Sequence, residues 1–293
     1  MNFIMAMKKY INHNGTYLDA EQPLFTASNR AFCYGDALFE TIRIAENNPQ
    51  FLKEHLQRLF IGMSVMKMQI NPLFNEPFFE NAILELAKKN EITSDGRIRL
   101  TIYRNQGGLY APSDNTVSYL IEISALETKG YVLNVKGYTV DLYTELKKTQ
   151  SALSSIKSAN CAIYVMAGIN KRLNSLDDCI LVNEKGVIIE AISSNIFAVK
   201  NGVLYTSPIA DGCVDGVMRK KIIEIAQANR IAVYELSIMQ NVLLGADELF
   251  LTNAINGIVW VVAYKQKRYF NNTSKKLLEK LNELIGQKKP GNF

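Results

Sequence analysis

The chain has 293 residues, is 48% hydrophobic and 21% charged, and carries a formal net charge of +5, the make-up of a soluble globular protein with room for two cores. Four scattered cysteines without a C-x-x-C pair and only two histidines argue against a disulfide frame, a zinc site or any histidine-based metal centre. No apolar run approaches the roughly 18 residues that span a bilayer, the opening stretch lacks a signal-peptide layout, and no basic stripe interleaves with aromatics as nucleic-acid binding would ask, so a cytoplasmic protein without membrane or nucleic-acid partners is expected.

In chain order, residues 1–20 read as a hairpin turning at Asn14–Gly15. The stretch "DALFETIRIAENNPQFL" reads as two strands around a polar Asn-Asn-Pro turn. "KEHLQRLFIGMSVMKM" places Leu56, Leu59, Phe60 and Met63 at helical spacing, and a second helix covers about 77–90. "GRIRLTIYRN" and "VSYLIEISAL" are strand-like, and alternation sets Arg97, Arg99 and Thr101 on one face. A polar "ETKG" then marks a boundary, giving an α/β domain over residues 1–127 and a second domain over 128–293. The second opens into a meander, "DCILVNEKGVIIEAISSNIFAVKNGVLYTSP", followed by a helix from Gly216, the strands "AVYEL" and "ELFLTN", and an amphipathic helix from Ser274 to the end. The fold class is α/β (α+β), with much antiparallel pairing in the larger C-terminal domain.

Walker loops, G-x-G-x-x-G turns and G-x-S-x-G elbows are absent. Four other features stand out. Lys157, in "SSIKSAN", has no acidic neighbour. It is either an ordinary exposed loop lysine or a desolvated amine able to form a Schiff base. Glu190 is the only charge in the strand "GVIIEAIS", whose alternation groups it with Ile188 and Ile192. It either faces water from an edge or meets a buried cation. In "DGVMRKK", Arg219, Lys220 and Lys221 crowd a helix start, where cations oppose the macrodipole unless an anion sits there; a solvated basic face is the alternative. Arg58, in "EHLQRL", is either an exposed helix residue or a second ligand for that anion. Taken together they suit one ligand that carries an aldehyde, a ring nitrogen and a phosphate, namely pyridoxal phosphate.

In this order the motifs "RAFCYGDALFETIR", "EHLQRL", "SSIKSAN", "IIEAISSNIFAVKNGVLYTSP", "DGVMR" and "LTNAINGIVWV" resemble the class IV aminotransferases, fold type IV of the pyridoxal-phosphate enzymes. That family includes branched-chain aminotransferases, D-amino-acid aminotransferases and aminodeoxychorismate lyases. The resemblance implies a smaller N-terminal and a larger cofactor-binding domain, and a homodimer. Lys157 would form the Schiff base, Glu190 would pair with the ring nitrogen, and Ser193, Ser194 and Asn195 would form the polar turn beside the ring. Arg58 and the N–H groups of Val217 and Met218 would hold the phosphate near Asn253 and Ala254. Tyr34, Phe39, Arg43 and Arg99 match substrate positions.

Three departures stand out. Cys161 follows Asn160 where the branched-chain branch has a tyrosine, with Tyr164 further along the helix. Ala254 replaces a threonine, as "TNA" in the lyase branch would. "GGLYAP" offers Leu109 and Tyr110 in place of the arginine and histidine of the D-specific branch. The resemblance thus implies amino transfer from a branched-chain-like amino acid to 2-oxoglutarate, with aminodeoxychorismate lyase as the alternative reaction. A cofactor-free structural homologue is the third reading, disfavoured by Lys157 and Glu190 together.

Overall fold

The computed structural model describes residues 9–286. The parts of the expected hairpin and C-terminal helix on residues 1–8 and 287–293 lie outside the described residues. The chain forms two compact units. Among the described residues, one runs through Lys129 and takes in Ser158–Asn160, and the other comprises Gly130–Lys157 and residues 161–286.

In the first unit the strands are β1 (Tyr10–His13), β2 (Thr16–Asp19), β3 (Ala37–Ala45), β4 (Asn48–Pro49), β5 (Gly96–Arg104) and β6 (Val117–Ala125), and the helices are α1 (Arg30–Tyr34), α2 (Leu52–Val65) and α3 (Glu76–Lys89). They build an antiparallel sheet in the order β2-β1-β6-β5-β3-β4. The β1–β2 turn is at Asn14–Gly15, both with positive φ, where Gly and Asn carry the least strain. The β3–β4 turn falls at Glu46–Asn47, also left-handed, one step before the expected Asn-Asn-Pro. Leu56, Leu59 and Met63 of α2, with Phe79, Ile83 and Leu86 of α3, are buried, as are Leu38, Ile42, Ile98, Leu100, Ile102 and Ile121 of the sheet. On β3 and β5 the intervening residues pair as Phe39↔Thr101, Thr41↔Arg99 and Arg43↔Arg97, so Arg97, Arg99 and Thr101 do share the opposite face.

The second unit contains β7 (Tyr138–Lys148), α4 (Ala162–Leu173), β8 (Asp178–Asn183), β9 (Ile188–Ala191), β10 (Asn195–Lys200), β11 (Val203–Thr206), α5 (Val217–Ala228), β12 (Val233–Glu235), α6 (Gln240–Gly245), β13 (Glu248–Asn253), β14 (Gly257–Tyr264), β15 (Lys267–Arg268) and α7 (Asn272–Gly286). The sheet runs β12-β11-β10-β13-β14-β7-β8-β9, and β9 pairs again with β10 through Glu190↔Asn195. That last pairing closes the sheet on itself. It places two residues from one short turn side by side across a strand pair. One apolar cluster gathers Ile180, Val182, Ile188, Ile196, Leu251 and Val261; another gathers Tyr143, Ala167, Cys179, Leu181, Ile189 and Cys213 with Tyr164 and Ile192 packed on it.

The register of β8–β9 shifts between Leu181 and Val182, so Glu190 lies opposite Leu181 while Ile188 lies opposite Val182. This irregularity corrects the simple alternation read from sequence: Ile188 joins the first cluster and Ile189 and Ile192 the second. A strand with one extra residue turns the following side chains to the other face.

Candidate active site

Within the second unit the centre of the polar arrangement is Glu190, only 3% exposed. Its Oε1 accepts from Lys148 Nζ at 2.6 Å and from the Tyr164 hydroxyl at 2.8 Å; its Oε2 accepts from the Val214 N–H at 2.8 Å. A carboxylate offers about four lone-pair positions, so one acceptor position, on Oε2, is left for a further donor. Lys148 also donates to the Ser154 carbonyl at 2.8 Å and lies 5.5 Å from the centre of the Tyr164 ring. Burial and then the neighbouring Glu190 carboxylate push the Tyr164 hydroxyl's pKa far up, so it stays a donor. Burial and the same carboxylate push the Cys213 thiol up to about 12; it is a packing residue, not a nucleophile.

Lys148 and Tyr164 carry weight that sequence reasoning missed. Lys148 ends the polar run "TELKK", and nothing local separates it from a solvated lysine. Tyr164 is one helical turn beyond Cys161 on α4, and at that spacing both lie on one face.

Lys157 is half-buried in the loop before α4. Just upstream, the Ser155 carbonyl accepts from the Asp215 N–H at 3.0 Å, inside the same unit. The next three residues belong to the first unit: Ser158 bridges Leu38, the Ala159 N–H donates to the Ala37 carbonyl at 2.8 Å, and Asn160 Nδ2 donates to the Gly35 carbonyl at 3.3 Å.

The turn between β9 and β10 packs against the segment that precedes α5. Asn195 Nδ2 donates to the Val214 carbonyl at 2.9 Å. Gly216 is the N-cap, and a Cβ there would collide with Asn195 Oδ1; only glycine lets the two segments approach this closely. No side chain caps this helix, which leaves the N–H groups of Val217 and Met218 pointing out of its first turn. Ser194 is buried and its Oγ accepts from Asn253 Nδ2 at 3.0 Å, while Asn253 Oδ1 accepts from the N–H groups of Ile255 and Asn256. Thr252, across the ladder from Asn195, is 1% exposed and its Oγ1 has no hydrogen-bond partner. The Ala254 carbonyl accepts from the Tyr131 hydroxyl at 3.2 Å. Ser193 is exposed and lines a cavity of about 630 Å³ with Lys171, Arg172, Ser175 and Asp178.

The basic cluster that drew attention to α5 has protein partners. Arg219 is buried and donates to the Ser207 carbonyl and to Glu235; Lys220 pairs with Asp215 and Lys221 with Glu224. The cations therefore give no argument for an anion. The uncapped helix start and the glycine cradle remain.

In the first unit, Arg58 is 9% exposed and forms a forked pair with Glu40. Its Nε donates to Oε1 at 2.8 Å and its Nη2 to Oε2. His55, one turn earlier on α2, reaches the same Oε2 from Nδ1 at 2.6 Å. Burial alone would raise the Glu40 carboxyl, but Arg58 and His55 outweigh it and hold it at about 2. Burial lowers His55, so the neutral ring donates from Nδ1, and its Nε2 is buried without a partner. Tyr34 is half-buried under the Arg30 guanidinium at 5.0 Å and beside the Tyr110 ring at 5.5 Å. Arg99 lies over the Phe39 ring at 3.9 Å and is 3.9 Å from the Glu122 carboxylate. Arg43 is fully enclosed, donating to Asp95 at 2.8 Å and to the Thr128 carbonyl at 2.6 Å.

Among the described residues no group of three or more His, Cys, Asp or Glu side chains could hold a metal ion, and no helix is long and apolar enough to cross a membrane. On the second unit lie a half-buried lysine, a clamped carboxylate and an uncapped helix start. The chain matches known proteins over most of its length. The branched-chain-amino-acid aminotransferase of Escherichia coli K12 is 26% identical over 260 residues, covering 85% of this chain and 83% of that protein. The aminodeoxychorismate lyase of Bacillus subtilis is 26% identical over 264 residues, covering 87% of each. The crystal structure of a branched-chain aminotransferase from Thermoproteus uzoniensis with norvaline superposes with a TM-score of 0.87 at 23% identity over 96% of both chains, which establishes the shared fold. With residues 37–264 matching the family model for amino-transferase class IV, the chain belongs to that family of pyridoxal-phosphate enzymes.

Proposed function

We propose that the chain is an aminotransferase that moves the amino group of an amino acid with a branched or otherwise apolar side chain to 2-oxoglutarate, using pyridoxal phosphate. The observation that carries this reading is the Glu190 carboxylate, buried, held by Lys148, Tyr164 and the Val214 N–H, with one acceptor position left on Oε2. A ring N–H fits that position. The phosphate fits the start of α5, where Val217 and Met218 offer N–H groups, Gly216 keeps the approach open and Thr252 Oγ1 lacks a partner. When bound, the cofactor supplies an electron sink for the substrate's Cα.

Lys157 holds the cofactor through Nζ and carries a proton to and from the substrate. Ser193, Ser194 and Asn195 shape the turn beside the ring, and Asn253 and Ala254 flank the phosphate with Arg58. Tyr34 and Phe39 form apolar substrate walls, and Arg99 takes the second carboxylate of the diacid through two parallel hydrogen bonds. Arg43 serves by holding the sheet through Asp95. The protein is a homodimer; the stripe Val165, Met166, Ile169 and Leu173 on α4 is exposed and apolar, as a face covered by a second copy would be.

Ala254 favours the second reading, elimination from aminodeoxychorismate, because "TNA" resembles the lyase branch where the transaminase branches carry a threonine. Mixing purified protein with leucine separates the two. A transaminase loses the visible absorbance of its bound cofactor and regains it on addition of 2-oxoglutarate. If no common amino acid changes the spectrum while aminodeoxychorismate releases pyruvate, the lyase reading holds.

A further inference from the structure

Glu40 belongs to no part of the chemistry assigned so far. It occupies β3 on the side facing α2, between the buried Leu38 and Ile42, and is 1% exposed. Three side chains meet there: Glu40, Arg58 and His55. Stability alone does not explain such a group. A buried ion pair gains little over apolar residues of equal volume, because desolvation offsets the attraction. Its distinctive property is geometric. A guanidinium gripped along its Nε–Nη2 edge has its plane and direction fixed, whereas a single charge contact leaves both loose. His55 secures the other partner, holding Glu40 Oε2 from the preceding turn of α2.

We infer that Glu40, backed by His55, is a positioning residue that orients Arg58 toward the cofactor phosphate. This rests on the reading above that Arg58 binds that phosphate. The inference has a sign opposite to the electrostatic expectation. Removing the Glu40 charge makes the surroundings of Arg58 more positive, which by charge alone tightens phosphate binding. If orientation matters, binding weakens.

The test compares the affinity of the full-length apoenzyme for pyridoxal phosphate and for pyridoxal, which lacks the phosphate. Glu40→Gln should lose about tenfold or more for pyridoxal phosphate, the scale of one charge-assisted hydrogen bond, with pyridoxal changed less than about twofold. His55→Gln should show the same selectivity at smaller size. Should Glu40→Gln fail to fold, Glu40→Asp keeps the charge, shortens the reach by one methylene, and should still weaken pyridoxal phosphate selectively. Unchanged or tighter pyridoxal phosphate binding, or equal loss for both compounds, overturns the inference. Arg58→Ala is the separate control. If it loses no phosphate-selective affinity, the phosphate role of Arg58 itself falls; if it does and the Glu40 and His55 variants do not, only the positioning role falls.

Discussion

Replacing Lys148 by methionine tests the clamp on Glu190 without any ligand. The change keeps most of the side chain's volume and removes its cation. The Glu190 side chain, 4% exposed, and that of Lys148, 11% exposed, then lose a 2.6 Å ion pair. Breaking a buried pair from one side costs about 3–5 kcal/mol, since the remaining charge is uncompensated. The Tyr164 hydroxyl and the Val214 N–H still donate to Glu190, so the lower end, about 3 kcal/mol, is expected. For a unit of this size that is a fall in Tm of roughly 6–12 °C. Urea unfolding followed by fluorescence suits the measurement, because the only tryptophan, Trp260, lies on β14 in the same sheet. Glu190→Gln in the Lys148→Met background should restore part of the loss, with a coupling of at least about 2 kcal/mol. A Lys148→Met cost below about 1 kcal/mol, or strictly additive changes, refutes the account of this clamp.

Three further outcomes follow from named groups. Glu40 has a folded pKa of about 2 against 4.5 unfolded, so it stabilises the first unit above pH 4.5 by about 3 kcal/mol, and that contribution is lost as pH falls toward 2; urea stability measured against pH should lose this acid slope in Glu40→Gln. Asp178 behaves oppositely: burial outweighs the N–H groups of Cys179 and Ile192 and raises it to about 6 from 3.8. It costs stability at neutral pH, and that cost fades as pH falls from about 6 toward 3.8, so Asp178→Asn should be the more stable protein at pH 7, by up to about 3 kcal/mol, and close to the parent near pH 4; equal stability at pH 7 would falsify this. Gly216→Ala forces Asn195 Oδ1 aside and should cost about 1–3 kcal/mol by crowding, read by the same Trp260 unfolding curve, with a change under about 0.5 kcal/mol counting against the cradle.

Local signals were legible where the chain's own chemistry decides the outcome. The Asn14–Gly15 turn, the helical spacing of Leu56, Leu59 and Met63, and the face shared by Arg97, Arg99 and Thr101 follow from φ preference and periodicity. The eleven-residue strand β7 was not legible. Its burial fades into a solvated "TELKK" tail, and it forms because β14 and β8 flank it in parallel. The bulge in β9 was equally hidden, since it depends on the register of β8. The partner of Glu190 lies 42 residues away, and the β7-β8-β9 ladder brings the two together.

The same topology changes what a charge in the sequence means. Arg219, Lys220 and Lys221 were read as asking for a ligand anion, yet Glu235, Asp215 and Glu224 answer them. Glu190 was read as asking for a ligand cation, and Lys148 answers it first. Isolation along the chain is therefore weak grounds for a binding site, because a folded chain neutralises its buried charges internally wherever it can. Acceptor geometry is firmer ground. With Lys148 already supplying the opposite charge, a ring nitrogen at Glu190 Oε2 would enter as the last donor of four and not as the neutralising ion. Its hold on a proton would then depend on the cation and the hydroxyl that share the carboxylate. In this chain the tyrosine supplying that hydroxyl stands a full turn of α4 beyond Cys161, where it serves the carboxylate directly.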